Sequence, residues 1–244
     1  MVSQLKIDYI NRLIDDSLSE GDDTIELQGK FIGDEGVEAL VQSPKLEHIE
    51  DLDLSNNSIT WRGATQLFKC DTFKNPKRLY LNDNNISNKG AIALAEASFL
   101  NGLSVLDIHF NNIDSVGGMA IVKCMHFQKL QVLNFQENQV GDDALITLAK
   151  NPSFGNIRKL NFYRTGITIK AIKTLAKSKV LKKVKHLNLG RNYLHPDSAK
   201  VLAATKTLVN VETLLMIENY LGDEGVRNIM ESESFVKLKT FRVL

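Results

Sequence analysis

The chain has 244 residues, 43% of them hydrophobic, and its 30 Lys and Arg nearly balance 29 Asp and Glu for a formal charge of +1. That balance supplies no global pull toward nucleic acid or anionic lipid. No apolar run approaches the roughly 18 residues that a membrane span requires.

The chain opens MVSQLKIDYINRLIDD, with neither a basic start nor an uninterrupted apolar core, so no secretory leader is expected. Ile10, Leu13 and Ile14 have helical spacing and stand 27 residues before Val37, Leu40 and Val41. Gly21 is a suitable helix stop. Residues 1–21 therefore read as a capping helix in phase with a repeat that occupies the rest of the chain.

Residues 22–237 are eight units of 27 residues without insertion or deletion. One column reads Lys30, Asn57, Asn84, Asn111, Asn138, Thr165, Asn192 and Asn219. Five residues before it runs an aliphatic column from Ile25 and Leu52 to Leu214, and two after it another from Ile32 and Ile59 to Leu221. A fixed period of this size marks stacked supersecondary units. Within a unit, HIEDLDLSNN alternates Leu52 and Leu54 with Asp51, Asp53 and Ser55, the pattern of a half-buried strand. In NKGAIALAEASFL the period changes, and Ala91, Leu94, Ala95 and Leu100 form one helical stripe. Asp34, Asn88, Ser115, Asp142 and Asp223 share the column before this stripe and read as N-caps. Trp61, Ile169 and Pro196 occupy it elsewhere, so those helix starts must differ. Gly36, Gly63, Gly90, Gly117 and Gly225 form a small-residue column, read as space for close helix–strand approach.

The Asn column has a physical reason. A sharp turn out of each strand would leave backbone groups unpaired inside the stack, and an amide both donates and accepts. Asn84 and its equivalents are expected to be scaffold. Thr165 fills the role only in part and Lys30 not at all.

The unit L-x-x-L-x-L-x-x-N-x-I followed by G-x-x-x-L-A resembles the leucine-rich repeat, in particular the ribonuclease-inhibitor-like class with a full helix per repeat. The resemblance implies an α/β fold, a right-handed solenoid or horseshoe with a parallel sheet on the concave side and helices on the convex side. Phrases such as GAIALAEA also resemble bacterial repeat proteins of this class, some of them delivered into host cells.

Residues 238–244, LKTFRVL, read as a ninth strand without a cap, with Phe241 and Val243 in phase with Leu214 and Met216. An uncovered parallel edge invites pairing. Either a natural chain that continues or self-association through this edge is therefore expected. Cys70 and Cys124 share a column two units apart, too distant for a disulfide, which suits a reducing, cytoplasmic setting, or host cytosol for a delivered effector.

No zinc-type cysteine pairing, H-E-x-x-H, phosphate loop or nucleophile elbow is present, and no enzyme, metal or cofactor is expected. Function is expected on the outward strand columns. Asp53, Asp83 and Asp107 gather with Glu26 and Asp51 at one end, and Arg164 and Arg191 with Lys159 further along. Tyr80, His109, Phe110 and Tyr163 lie among them. Aromatic and Arg anchors dominate binding energy at protein interfaces, so this strip is read as a protein-binding face, with the acids steering a basic ligand. The resemblance supplies an alternative, a GTPase regulator of the Ran-activating type. Lys170, Lys173, Lys177, Lys179, Lys182, Lys183 and Lys185 are read as a solvated convex face rather than a lipid or RNA patch, because no aromatic is interleaved.

Overall fold

The structure, a computed structural model, describes residues 2–18 and 23–243. Each coil contributes one three-residue strand, and the strands pair in chain order as a single parallel sheet. They are β1 Thr24–Glu26, β2 Asp51–Asp53, β3 Arg78–Tyr80, β4 Val105–Asp107 and β5 Val132–Asn134. The sheet continues with β6 Lys159–Asn161, β7 His186–Asn188, β8 Thr213–Leu215 and β9 Thr240–Arg242. Register follows the sequence period throughout: Leu52 faces Leu79, Leu133 faces Leu160, and Leu214 faces Phe241. The expected ninth strand is present.

Helices return the chain on the other face. The first, α1 Gln4–Ser17, is capped by Ser3 and buries Ile10 and Ile14; its proposed stop, Gly21, lies outside the described residues. Then come α2 Gly33–Leu40, α3 Trp61–Lys69, α4 Ser87–Glu96 and α5 Ser115–Lys123. The rest are α6 Gly141–Leu148, α7 Ile169–Leu175, α8 Pro196–Ala203 and α9 Gly222–Met230. Leu100 falls outside the predicted helical stripe: α4 ends at Glu96, and Leu100 is buried from a short 3-10 turn, Ser98–Gly102. Between the layers the aliphatic columns form one continuous core that includes fully buried Phe127, Phe135, Phe154 and Phe162.

The Asn column joins coil to coil. Asn84 Oδ1 accepts from the N–H of Asn57 (3.1 Å) and Ile59 (2.9 Å) in the preceding coil. Its Nδ2 donates to Leu54 O (2.9 Å) in that coil and to Leu81 O (2.9 Å) in its own. Asn57, Asn111, Asn138 and Asn192 are equally buried and repeat the pattern in part. Thr165 supplies no carbonyl oxygen to the coil before it. There the Asn138 N–H turns instead to Phe135 O (3.1 Å).

Helix entry differs from the sequence reading. A side chain caps its own helix from an extended residue, and Asp34, Asn88 and Asp142 already lie within their helices. They serve the next coil. Asp34 Oδ1 accepts from the N–H of Thr60 (2.7 Å) and Gly63 (3.0 Å), Asn88 Oδ1 from Asp114 and Gly117, and Asp142 Oδ1 from Thr168. The self-capping residues stand one position earlier, at Thr60, Asp114 and Thr168, each with extended backbone. Helix α5 is thus capped by Asp114 rather than Ser115, and α8 starts at Pro196 with no side-chain cap. The same contacts explain two members of the glycine column. A Cβ on Gly63 would sit 2.6 Å from Asp34 Oδ1, and one on Gly117 2.7 Å from Asn88 Oδ1. At these two positions the space admits the preceding coil's capping side chain; at Gly36, Gly90 and Gly225 the nearest atoms belong to Ile32, Ile86 and Leu221, where the coil's own aliphatic residue packs under the helix entry.

Candidate partner-binding face

Outward side chains of the sheet form three rows. The row at the strand starts runs Thr24, Asp51, Arg78, Val105, Val132, Lys159, His186 and Thr213. The middle row holds Glu26, Asp53, Tyr80, Asp107, Asn134, Asn161, Asn188 and Leu215, and the row beyond it includes His109, Gln136 and Tyr163.

The middle row has a local task. Asp53, Asp107, Asn134, Asn161 and Asn188 each accept, through Oδ1, the N–H two residues on, at Ser55, His109, Gln136, Tyr163 and Gly190. These turns sit at five strand ends, so Asp or Asn is favoured at those positions for geometry whatever its charge; β1, β3 and β8, with Glu26, Tyr80 and Leu215 there, are equally short. Asp53 and Asp107 are half-buried, Asp83 exposed. Asp51, assigned to the same acidic strip, is instead buried and paired with Arg78. Burial raises its carboxyl above the usual range, against the lowering effect of Arg78.

His109 is the most constrained member of the face. Its Nδ1 lies 2.6 Å from Asp107 Oδ1 and its Nε2 3.5 Å from Asp83 Oδ2. Burial alone would depress its pKa; the hydrogen bond and charge of Asp107, with the charge of Asp83, outweigh burial and raise it. Phe110, 45% exposed, sets its ring edge-on to His109 at 5.9 Å. Tyr80 is half-buried one coil earlier, its hydroxyl pKa raised by burial.

The basic end is more neutral than the sequence suggests. Arg164 donates to Glu137 Oε2 at 2.6 Å, and Arg191 Nε lies 3.3 Å from Glu218 Oε2. Tyr163 lies across coil seven and donates its hydroxyl to Glu218 Oε1 (3.0 Å). Gly190 makes that possible: a Cβ there would meet the Tyr163 ring at 2.7 Å. Lys159 is exposed and has no hydrogen-bond or ion-pair partner among the described residues.

Between these ends a depression of about 260 Å³ crosses strands β4 to β8. Val132 and Leu215 supply apolar walls, Asn134, Asn161 and Asn188 a ladder of amides, and Lys159, His186 and Thr213 the third side. His186 Nδ1 lies 3.1 Å from Thr213 Oγ1, and the Asn188 amide nitrogen has no partner among the described residues. Of these residues Lys159 stands out in the sequence as part of the basic end, and His186 and Leu215 as a histidine and an apolar residue in outward strand columns. The signal that could have found the depression is Val132 and Leu215 standing in outward columns. Also missed is a rim stack in which the Tyr220 ring lies 5.9 Å from Tyr193 and 5.6 Å from His195, nearly parallel to both. Tyr193 is exposed and left-handed at φ +58°.

A leucine-rich-repeat family model matches residues 45–68, 77–95, 103–122 and 126–149, all within the stack of coils. The fold is an α/β leucine-rich-repeat solenoid. Among solved structures it is similar to a Bacteroides fragilis protein, at 14% identity and a TM-score of 0.53, covering 84% of this chain and 59% of that one. It is also similar to the Arabidopsis receptor kinase HAESA, solved with the peptide hormone IDA and a co-receptor. There identity is 15% and the TM-score 0.52, over 99% of this chain and 42% of that one. The solenoid thus spans less than two thirds of either structure. No curated protein matches the sequence. None of the described helices is long and apolar enough to cross a membrane.

Proposed function

We propose that this solenoid is a non-catalytic interaction module that docks a protein partner on its concave sheet. The observation that carries the reading is the depression over β4–β8, where outward apolar walls, an unpaired ammonium and a free amide meet on a rigid sheet. Sites combining apolar area with a few placed polar groups are those that bind. Tyr80, His109 and Phe110 extend the face on the acidic side; Tyr163, Arg164 and Arg191 extend it on the other.

A ribonuclease-inhibitor-like class is supported by a helix in every one of the eight coils. The cytosolic setting rests on the two separated cysteines, the host-directed one on the helix-side resemblance, and self-association on the edge of β9. The Ran-type regulatory alternative rests on shared repeats and makes one demand: GTP hydrolysis by a Ran-type GTPase must accelerate on addition of this protein. No acceleration removes it.

Affinity capture tests the main reading. A protein retained by the wild type should bind about tenfold or more weakly to a Tyr80→Ala/Phe110→Ala pair and to Lys159→Glu, and unchanged to Lys69→Glu on the helix side. Equal retention by every variant contradicts concave docking.

A further inference from the structure

The chain is neutral as a whole but not in its parts. From Lys150 to Lys206 it carries fourteen of its 30 Lys and Arg and a single acid, Asp197, of its 29 Asp and Glu. Most of this charge lies away from the sheet. On the helix side Lys150, Lys173, Lys177 and Lys179 frame a depression of about 560 Å³, with Thr174 and Ser178 at its wall. Lys200 and Lys206 stand one coil beyond Lys173 and Lys179, so the neighbouring coil prolongs the positive field rather than opposing it.

One ordinary role for these lysines is already filled. Basic side chains near a helix C-terminus serve its unpaired carbonyls, but here hydroxyls of the next coil do so. Ser178 Oγ donates to Ala149 O (2.6 Å), and Thr205 Oγ1 to Ala176 O (2.7 Å). Other lysines of the run are engaged: Lys170 with Asp143, Lys183 with Asn156, Lys185 with Glu212. The four around the depression have no partner among the described residues. Four like charges in one hollow repel one another unless a compact multivalent anion joins them.

We propose that this helix-side depression binds a compact ligand carrying two or more phosphate groups, free or as a lipid headgroup. All four framing cations are lysines, point charges suited to phosphate; no Arg fork is offered for planar carboxylates. Among the described residues no aromatic lines the hollow to stack a base, so clustered phosphate is favoured over single-stranded nucleic acid. The site lies on the opposite face from the docking surface and stands independently of it.

Calorimetric titration with inositol hexakisphosphate at low salt tests it, followed by sedimentation with phosphatidylcholine vesicles with and without phosphatidylinositol bisphosphate. The free anion should bind, more weakly as salt rises, and Lys173→Glu/Lys177→Glu should lose about tenfold or more. A control of equal charge change, Lys30→Glu/Lys69→Glu, should keep wild-type affinity; unchanged thermal midpoints establish that both variants fold. Sedimentation only with the phosphorylated lipid, lost in the first variant, assigns the headgroup as the source. The proposal is overturned if neither probe binds, if both variants weaken binding equally, or if a nucleic acid or acidic peptide binds while both phosphate probes fail.

Discussion

Asn111 shows what one side chain does in this stack. Its amide donates to Leu81 O in the coil before and to Ile108 O in its own, and its Oδ1 accepts from Ile86 N–H. Asn111→Ala leaves those groups buried without partners and should cost about 2 kcal/mol in urea unfolding. Thr165→Asn runs the other way. It returns an acceptor to the Asn138 N–H and should raise stability by about 1 kcal/mol; a loss would mean that coil six has its own geometry. His109 gives the face a pH dependence. Its folded pKa is raised above the ordinary value near 6.5. The stability it adds is therefore fully present below that value and lost as pH rises through the folded one. Proton NMR should place its titration above that of a free histidine. In Asp107→Asn burial dominates, and the titration should move down; no movement would detach His109 from Asp107.

At the scale of the element, the coils are sewn together at both ends of each strand–helix turn. Asp34 illustrates the division of labour: it sits in α2 yet holds the entry of α3. Asp34→Ala should cost about 1 kcal/mol, and hydrogen exchange should quicken at Thr60 and Gly63 while the first turn of α2 is unchanged. Faster exchange in α2 alone would restore the self-capping reading. This is also where sequence runs out. The 27-residue period places every strand, core column and buried Asn, because identical positions in successive coils must touch. The period cannot tell a residue that caps its own helix from one that caps its neighbour's, since both choices preserve the column. The ion pairs are open to the same logic. Glu137 and Arg164 differ by one period, as do Arg191 and Glu218, so each pair is legible from its column once the column is read across coils rather than along the chain. The depression over β4–β8 is harder, since most of it is a ladder of small amides and its mark in the sequence is Val132 and Leu215, apolar in outward columns.

Taken whole, the molecule is a rigid sheet with an acidic end and a basic band, held by a core that runs unbroken from α1 to β9. The middle row separates charge from scaffold cleanly. Asp53→Asn and Asp107→Asn keep the turn to the residue two ahead and remove only the charge. If the acids steer a basic partner, this pair should slow association severalfold at low salt with little change at high salt, and leave the thermal midpoint nearly unchanged apart from the His109 contribution. Equal association rates at low salt would reduce these acids to their turns. The proposed docking face is the concave sheet over β4–β8. Photo-crosslinking tests it most directly, with the reactive side chain placed at Asn161 in one protein and at Lys69 on the helix side in another. One defined protein adduct is expected from position 161 and none from position 69; an adduct from 69 with none from 161 would move docking to the helix side.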